Sequence, residues 1–323
     1  MAQVVVTGAA GMIGSHVVER LVGRGDSVVG VDNLLTGELA NLAGVLGGDR
    51  FSFVERDAAE LDALPPGTDA VLHLASPASP RHFRDLPIEV LHAGSTATLR
   101  LLELAESARA TFLFASSSEV YGEPEVHPQP EEYRGAVSTL GERACYDEAK
   151  RFSEAAVDTY RLRRGLDTRI ARIFNTYGPR MRLDDGRIVV TFVQQAIAGD
   201  PLTVHGDGTQ TRSFCYVDDL AAGIVALLDS DVDVPVNLGS TDEHTVLDVA
   251  QLVIELTGSS SDIVFVERPE NDPSRRRPDL TRASVLLGWS PTVDIGDGMR
   301  RTVASIAGQL GAEVPADLRS VAP

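Results

Sequence analysis

Cysteine is scarce in this chain of 323 residues, which contains only Cys145 and Cys215. Two cysteines give no disulfide framework, so a reducing cytoplasm is the predicted location. Long apolar runs are also missing, since no stretch approaches the roughly 20 uninterrupted apolar residues of a membrane-spanning helix. The first predicted strand begins at Gln3 and leaves no room for a signal peptide ahead of it. We therefore expect no membrane partner.

Positive charge is in short supply as well. The chain has 29 Lys and Arg residues against 47 Asp and Glu residues, which gives a formal net charge of −18. Such a chain repels polyanions, so nucleic acid is not an expected partner. No spacing of His, Cys, Asp and Glu is typical of a metal site, and there is no internal repeat. A small anionic substrate would need local arginines to overcome the overall field.

The chain opens with a pattern that is typical of dinucleotide binding. Gln3–Thr7 has the content of a buried strand, and Gly8, Gly11 and Gly14 follow before helical periodicity over residues 15–24. Glycines at this spacing allow a tight turn, close approach of the backbone to a pyrophosphate, and close packing of the helix on the strand. The helix N-terminus adds N–H donors and the positive end of its dipole.

An acidic residue stands where this pattern requires one. The second predicted strand, residues 27–31, ends in Asp32, 18 residues after Gly14. A carboxylate there binds the ribose diol and repels a 2′-phosphate, so NAD is predicted rather than NADP. Asp57, after the third predicted strand Phe51–Glu55, is either an adenine contact or an ordinary loop residue.

Predicted strands then alternate with helices along the chain. Residues 70–74, 111–116 and 167–173 have the content of buried strands, and residues 86–109 have a helical period. This alternation predicts an α/β fold with a doubly wound parallel Rossmann sheet. Pro77 and Pro80 should end the fourth strand and stiffen a loop over the site.

The alternation loosens after about residue 178, which predicts a division into domains. We assign residues 1–178 to an NAD-binding Rossmann domain, to which later segments return. Residues 179–314 should form mainly a smaller C-terminal α/β substrate domain, and residues 315–323 a frayed tail.

The carboxyl end of the fifth predicted strand carries candidate catalytic groups. Ser117 and Glu119 follow this strand, at the edge of an α/β sheet where ligands bind. Tyr146 and Lys150 are four residues apart on a predicted helix that reaches about Arg164, so they share one face. A nearby ammonium should lower the pKa of Tyr146 and make it a base. A surface Tyr and Lys on an ordinary helix would have the same spacing.

Arginines cluster in loops of the second half of the chain. A guanidinium suits phosphate and carboxylate groups, so the cluster favours an anion site over solvated surface charge. The arginines concerned are Arg180, Arg182, Arg187, Arg212, Arg275, Arg276 and Arg277.

Several motifs together resemble the extended short-chain dehydrogenase/reductases that modify nucleotide sugars, and among them the UDP-glucuronate decarboxylases. The resemblance covers residues 4–291. Its motifs are the three glycines, Tyr146-x-x-x-Lys150, Arg172-Ile-Phe-Asn175-Thr-Tyr-Gly-Pro179, His73-Leu-Ala-Ser-Pro-Ala-Ser-Pro80, Ser118-Glu-Val-Tyr-Gly122, Glu125-Val-His-Pro-Gln129, Arg143-Ala-Cys-Tyr-Asp-Glu148, Pro201-Leu-Thr-Val204 and Pro235-Val-Asn-Leu-Gly239.

The resemblance implies NAD-dependent oxidation of UDP-glucuronate at C4, loss of carbon dioxide, and reduction to UDP-xylose. Tyr146 would be the base, and Lys150 would hold the nicotinamide ribose and tune Tyr146. Ser117 would bond the sugar near O4, while Glu119 and Arg276 would lie by the sugar ring and the departing carboxylate. The resemblance leaves the division of roles between these last two residues open.

Contacts with both ligands follow from the same resemblance. Besides Tyr146 and Lys150, the implied NAD contacts are Gly8, Gly11, Met12, Ile13, Gly14, Asp32, Asn33, Thr36, Gly37, Asp57, Leu74, Ser76, Ala115 and Thr176. The implied UDP-sugar contacts are Asn175, Arg182, Arg187, Arg212, Tyr216 and His92. A homodimer formed through the helices around residues 96–108 and 150–163 is also expected.

Local differences separate the related activities. The 4,6-dehydratases have an Asp where Ser118 stands, so dehydration lacks its acid, and the 4-epimerases generally lack the carboxylate of Glu119. The open alternatives are a UDP-sugar 4-epimerase, an oxidase that releases a 4-ketosugar, and a non-catalytic NAD sensor.

His92 and Gly94 stand where relatives have Lys and Asn, and Ser117 where they have Thr. We therefore expect some escape of UDP-4-keto-pentose and NADH.

Overall fold

The computed structural model describes residues 1–267, 275–313, 315 and 318. The strands are β1 (Gln3–Thr7), β2 (Ser27–Asp32), β3 (Phe51–Glu55), β4 (Ala70–His73), β5 (Thr111–Ser117), β6 (Thr168–Ile173), β7 (Thr176–Tyr177), β8 (Leu202–His205), β9 (Thr211–Ser213), β10 (Cys215–Tyr216), β11 (Val236–Leu238), β12 (Glu243–Thr245), β13 (Ile263–Val266) and β14 (Arg275–Arg276). The α-helices are α1 (Met12–Gly23), α2 (Pro80–Asp85), α3 (Pro87–His92), α4 (Thr98–Ala108), α5 (Ala144–Arg164), α6 (Ile188–Ala198), α7 (Val217–Leu228), α8 (Val246–Thr257), α9 (Thr281–Leu287) and α10 (Ile295–Leu310).

Seven parallel strands form the central sheet in the order β11-β6-β5-β4-β1-β2-β3. Helices cover both faces, which is why β1, β4 and β5 are almost continuously apolar. Helices α1 and α7 pack on one face through residues such as Leu21 and Ile224. Helices α4 and α5 pack on the other through Leu101 and Val157. The predicted doubly wound Rossmann sheet is confirmed.

One local prediction holds in part and another was wrong. The predicted loop after β4 covers residues 74–79, but Pro80 begins α2, whose N-cap Ser79 accepts a hydrogen bond through Oγ from His82 N at 3.3 Å. The long helix predicted over residues 86–109 is divided at Ala93–Ala97 by a π-helical segment, which hydrophobic periodicity does not reveal.

A second apolar core lies among α6, α8 and α10, with Val193, Val253 and Val303 fully buried. Next to it, β9 pairs with β12 and with β14, and this register sets Arg212 opposite Arg276. The segment β11 lies in the large sheet although it comes long after residue 178, and the domain boundary at that residue stays a prediction. Most of the predicted tail, residues 315–323, lies outside the described residues, although Leu318 is buried in the second core.

Helices long and apolar enough to cross a membrane are absent from the described ranges. Neither Cys145 nor Cys215 forms a disulfide.

Candidate active site

The glycine loop brings the backbone of β1 against the chain that follows β4. A Cβ on Gly8, whose φ is +72°, would lie 2.7 Å from the backbone of Ala75, and a Cβ on Gly14 would lie 1.9 Å from the Gly8 carbonyl oxygen. Only glycine fits at both positions. Helix α1 therefore begins at Met12, with Gly11 as its N-cap, rather than at the predicted Ser15. Met12 and Ile13 pack against the apolar cores behind this loop.

The carboxylate of Asp32 is fixed at the end of β2. Its Oδ2 accepts a hydrogen bond from Ala10 N and its Oδ1 one from Leu34 N, both at 2.9 Å. Burial raises the pKa of Asp32, and the two backbone donors oppose that shift. The side chain thus stands at the sheet edge where a ribose diol would reach it.

A cavity of about 400 Å³ opens beside this carboxylate. Asn33 Nδ2 donates to Asp57 Oδ2 at 2.8 Å on its wall. Exposed backbone at the glycine loop, a carboxylate and apolar side chains suit a dinucleotide, so the residues present fit NAD. Ten of the predicted ligand residues line the cavity: Gly8, Gly11, Asp32, Asn33, Thr36, Gly37, Asp57, Leu74, Ser76 and His92. The structure thus puts His92, predicted to contact substrate, among the predicted cofactor residues.

Lys150, the only lysine in the chain, is buried against β5. Its Nζ donates to the Ala115 carbonyl oxygen at 2.8 Å and lies 5.5 Å from the ring centroid of Tyr146. Burial lowers the pKa of Lys150 to about 7, and the charge of Glu154 only partly opposes this. The ammonium is therefore not permanent at neutral pH.

Tyr146 faces the end of β5 from the first turn of α5. Its ring stacks on Phe83 with centroids 4.5 Å apart, and its hydroxyl shares a hydrogen bond with Ser117. Burial raises the pKa of Tyr146 to about 12, against the lowering effect of Ser117. The prediction that the pKa of Tyr146 is lowered is wrong for the unliganded protein, because desolvation by burial is the largest influence on it.

Glu119 lies between two arginines beside this pair. Arg276 and Arg143 each form an ion pair with its carboxylate, one to each oxygen. Burial alone would raise the pKa of Glu119, but the two guanidinium groups hold it at about 2. Sequence reasoning missed Arg143, although its place three residues before Tyr146 on the same helix face could have indicated it.

A buried hydrogen-bond network fixes the segment that carries Arg276. Asn237 Nδ2 donates to the carbonyl oxygens of Gln129 at 3.0 Å and Asp279 at 3.2 Å. Tyr121 OH donates to Asn237 Oδ1 at 2.7 Å. Arg276 Nη2 also donates to the Gly122 carbonyl oxygen at 2.9 Å. Gly122 thus holds the guanidinium directly, while Asn237 ties Asp279, three residues further on, to two other segments.

The other predicted arginines occupy different places. The charge of Arg187 acts on Tyr146, and its Nη2 donates to the Ala78 carbonyl oxygen at 2.7 Å. Arg212 is buried on β9 next to Arg276. Arg182 contacts the Thr36 carbonyl oxygen at 3.3 Å at the cofactor cavity. Arg180 pairs with Glu19 of α1 at 2.6 Å, a contact between elements that does not belong to the predicted anion site.

Three further predicted contacts lie on the segment after β6 and on β10. Asn175 is half-buried, and its carbonyl oxygen accepts a hydrogen bond from Cys215 N at 2.9 Å. Thr176 Oγ1 donates to the Phe174 carbonyl oxygen. Tyr216 is buried under Arg301 and against Tyr177, so the structure adds no support for its predicted contact with substrate.

Gly94 has a packing role that its sequence position did not reveal. It is buried in the π-helical segment, where an added Cβ would lie 2.6 Å from Ala149 Cβ of α5. Ser153 Oγ donates to its carbonyl oxygen at 2.6 Å. A polar side chain at this position would require the two helices to separate.

A second cavity, of about 470 Å³, is lined by residues of α5 and β6. Charged side chains on its wall pair with each other, as Arg172 does with Glu154 and Arg161 with Asp158. Its lining contains none of the predicted site residues.

A model of the NAD dependent epimerase/dehydratase family matches residues 4–239. The chain belongs to this family. UDP-glucuronic acid decarboxylase 1 of Xenopus tropicalis is 46% identical over 301 residues, which are 93% of this chain and 71% of that protein. UDP-glucuronic acid decarboxylase 5 of Arabidopsis thaliana is 43% identical over 298 residues, which are 92% and 87% of the two chains. These relatives confirm the resemblance to the decarboxylases.

Solved structures of epimerases have the same fold as this member of the family. UDP-glucuronic acid 4-epimerase from Bacillus cereus, in complex with UDP-glucuronic acid and NAD, aligns with a TM-score of 0.83 and 30% identity over 95% of this chain and 99% of that one. UDP-glucose 4-epimerase from Thermotoga maritima, with UDP-glucose, aligns with a TM-score of 0.86 and 28% identity over the same shares.

Proposed function

We propose that this protein converts UDP-glucuronate to UDP-xylose by oxidation at C4, decarboxylation, and reduction of the 4-keto product. The observation that carries the proposal is the grouping of Tyr146 and Ser117 with a carboxylate that Arg276 and Arg143 keep ionised. Identity of 43% and 46% with two proteins named as UDP-glucuronic acid decarboxylases supports it.

Each residue then has a task that its environment allows. Tyr146 takes the proton from O4 during oxidation and returns it during reduction, with Ser117 bonded to its hydroxyl. Arg276, together with Arg187, whose charge acts on Tyr146, offers cationic charge to a substrate carboxylate in a protein of net charge −18. The carboxylate of Glu119 forms ion pairs with Arg143 and Arg276 and so holds both side chains in place when no substrate is bound.

NAD would be held by the glycine loop, Asp32 and the cavity beside them. When bound, it supplies the acceptor for the C4 hydride, returns that hydride later, and adds a positive charge that favours the Tyr146 phenolate. Lys150 of α5, whose Nζ donates to the Ala115 carbonyl oxygen of β5, would hold the nicotinamide ribose. The ketone at C4 can accept the electron pair that remains when carbon dioxide leaves. Loss of carbon dioxide from the neighbouring carbon is therefore feasible.

An NMR time course of the protein with UDP-glucuronate and NAD, with NADH absorbance read in parallel, tests the proposal. We expect UDP-xylose without lasting NADH as the main product. Matching amounts of UDP-4-keto-pentose and NADH would identify an oxidase that releases its intermediate. UDP-galacturonate without loss of carbon dioxide would make the protein a 4-epimerase, and an unchanged substrate would refute the decarboxylase proposal.

Tyr146→Phe separates an enzyme from an NAD sensor. We expect the turnover rate to fall by about 10²- to 10⁴-fold, because proton transfer at O4 is lost. The affinity for NAD, measured by calorimetry, should fall far less than the turnover rate, since the glycine loop and Asp32 are unchanged and Tyr146 does not line the cavity beside them. A rate equal to that of the unmodified protein would contradict the role of Tyr146 as base.

The finer predictions remain proposals of the same kind. We propose a homodimer formed through α4 and α5, which light scattering after size exclusion would test. Escape of UDP-4-keto-pentose is proposed from His92, which lines the cavity, and His92→Lys should reduce that escape. A cytoplasmic location stays a prediction from the two cysteines.

A further inference from the structure

Asp147 follows Tyr146 on α5 and carries a carboxyl group that the roles above do not use. The residue is only 7% exposed, and its Oδ1 is fully buried without a hydrogen-bond partner in the part of the chain that the structure describes. An ionised carboxylate oxygen that is buried without a donor is strongly unfavourable, so burial favours the neutral acid. Four charged groups act on this carboxyl group. Glu119 follows β5, Arg276 lies on β14, Glu148 lies on α5, and Arg143 is the N-cap of α5.

The proposed reaction needs a proton donor that has not been assigned. When the bond between C5 and the carboxylate carbon breaks, its electron pair passes into an enolate over C5 and O4, and carbon dioxide leaves. C5 must then form a bond to a new proton, which is taken up once in each turnover. The proton held by Tyr146 returns to O4 and is not available, and Glu119, with a pKa of about 2, has none to give.

We propose that Asp147 donates the proton that C5 takes up, and that the resulting carboxylate regains a proton from water. The inference rests on the proposed function, and its geometry is a buried carboxyl group near the charges of Glu119, Arg143 and Arg276, with an Oδ1 that has no hydrogen-bond partner among the described residues. Burial, and then the charge of Glu119, raise the pKa of Asp147 to about 7 against the two arginines. The pKa values of Glu119 and Asp147 are thus moved in opposite directions. Such a pair suits two roles, in which one carboxylate stays ionised and the other carboxyl group donates a proton.

Asp147→Asn tests the proposal because it keeps the shape of the side chain and removes the acid. In D₂O the unmodified protein should place one deuterium on a single face of C5 in UDP-xylose. In the variant, turnover should fall by about 10²-fold or more. Deuterium should then enter both faces of C5, because bulk solvent protonates the enolate.

Matched variants separate an acid from a structural residue. Glu148→Gln removes a neighbouring negative charge from the same helix turn and should keep single-face labelling at C5. Asp147→Glu restores the acid and should also keep it. Asp147→Ser repeats the test with a smaller side chain if the Asn variant does not fold.

The pH profile gives an independent readout. The protonated form is the active one, so the rate of UDP-xylose formation should fall as pH rises through about 7, and this limb should be lost in Asp147→Asn. Lys150 also has a pKa of about 7 and remains in that variant, so a limb that persists would belong to Lys150. Single-face labelling together with a persistent limb in Asp147→Asn would overturn the inference while leaving the decarboxylase proposal intact. Absence of UDP-xylose from the unmodified protein would overturn both.

Discussion

The cofactor cavity and the charged centre around Glu119 are built in different ways. At the cavity, backbone groups and absent side chains define the shape: Gly8 and Gly14 allow chain segments to approach where a Cβ would collide. At the charged centre, long side chains from separate segments meet, since Arg276 comes from β14 and Arg143 from the start of α5. The first region depends on backbone that is free of side chains, whereas the second depends on side-chain ion pairs, one of which joins residues 157 apart in the chain.

This difference has a consequence for stability and specificity. A glycine turn is either sterically possible or not, since an added Cβ would collide with backbone. A buried cluster of charges is costly unless every member is paired, so it has to be supported by a network such as that of Asn237. We therefore expect substitutions at the two regions to have separable effects, on NAD binding in one and on folding in the other.

Arg276→Met should have the largest effect on stability. We expect the free energy of unfolding at pH 7 to fall by about 3–5 kcal/mol, because Glu119 would remain buried with a single cationic partner. Urea denaturation followed by circular dichroism measures this. The control is Arg275→Met, an exposed neighbour on the same strand, which should stay within about 0.5 kcal/mol.

The sign of the pH dependence follows from the pKa of Glu119, which folding lowers from 4.5 to about 2. Its contribution to stability is present above pH 4.5 and is lost as pH falls towards 2. The difference between Arg276→Met and the unmodified protein should therefore shrink over that range. Equal destabilisation at pH 7 and at pH 2 would show that packing, not charge, is the main contribution of Arg276.

Gly14→Ala should act on the other region. Because its Cβ would lie 1.9 Å from the Gly8 carbonyl oxygen, the start of α1 must shift, and we expect NAD affinity to fall by about 100-fold, or ~2.7 kcal/mol. Calorimetry with NAD measures this, and UDP affinity should be unchanged. Gly23→Ala, at the open end of the same helix, is the matched control and should leave NAD affinity as it is. Equal loss in both variants would contradict the steric argument.

Tyr121→Phe should have the smallest effect of the three. It removes one partner each from Asn237 Oδ1 and Arg172 Nη1, at 2.7 and 3.0 Å, and should cost about 1–3 kcal/mol of unfolding free energy. Tyr133→Phe is the control, because the Tyr133 hydroxyl only accepts a hydrogen bond from Glu125 N near the surface. The network explanation would fail if both variants lost the same stability.

Most of the sheet could be predicted from the sequence, and the reason is visible in single residues. The apolar content of β1, β4 and β5 and the spacing of the glycines after β1 are patterns that can be read from short stretches of the chain. The π-helical segment could not be predicted in this way. It depends on bonds between its backbone carbonyl groups and side chains far away in the sequence. His73 Nε2 is 3.1 Å from the Ala93 carbonyl oxygen, and Ser153 Oγ donates to the carbonyl oxygen of Gly94.

The candidate site also has features that could be predicted from the sequence and features that depend on tertiary contacts. The order of strand, glycines, helix and Asp32 determined the dinucleotide-binding region, and the spacing of Tyr146 and Lys150 determined that they share a helix face. The tertiary structure alone decided that burial makes Tyr146 a weaker acid and Lys150 a weaker base than in water. It also decided that Glu119 is paired and that Asp147 is buried beside it. The physical reason is that a pKa depends on solvent access and on charges within a few ångströms, and folding supplies both from residues that are far apart in the chain.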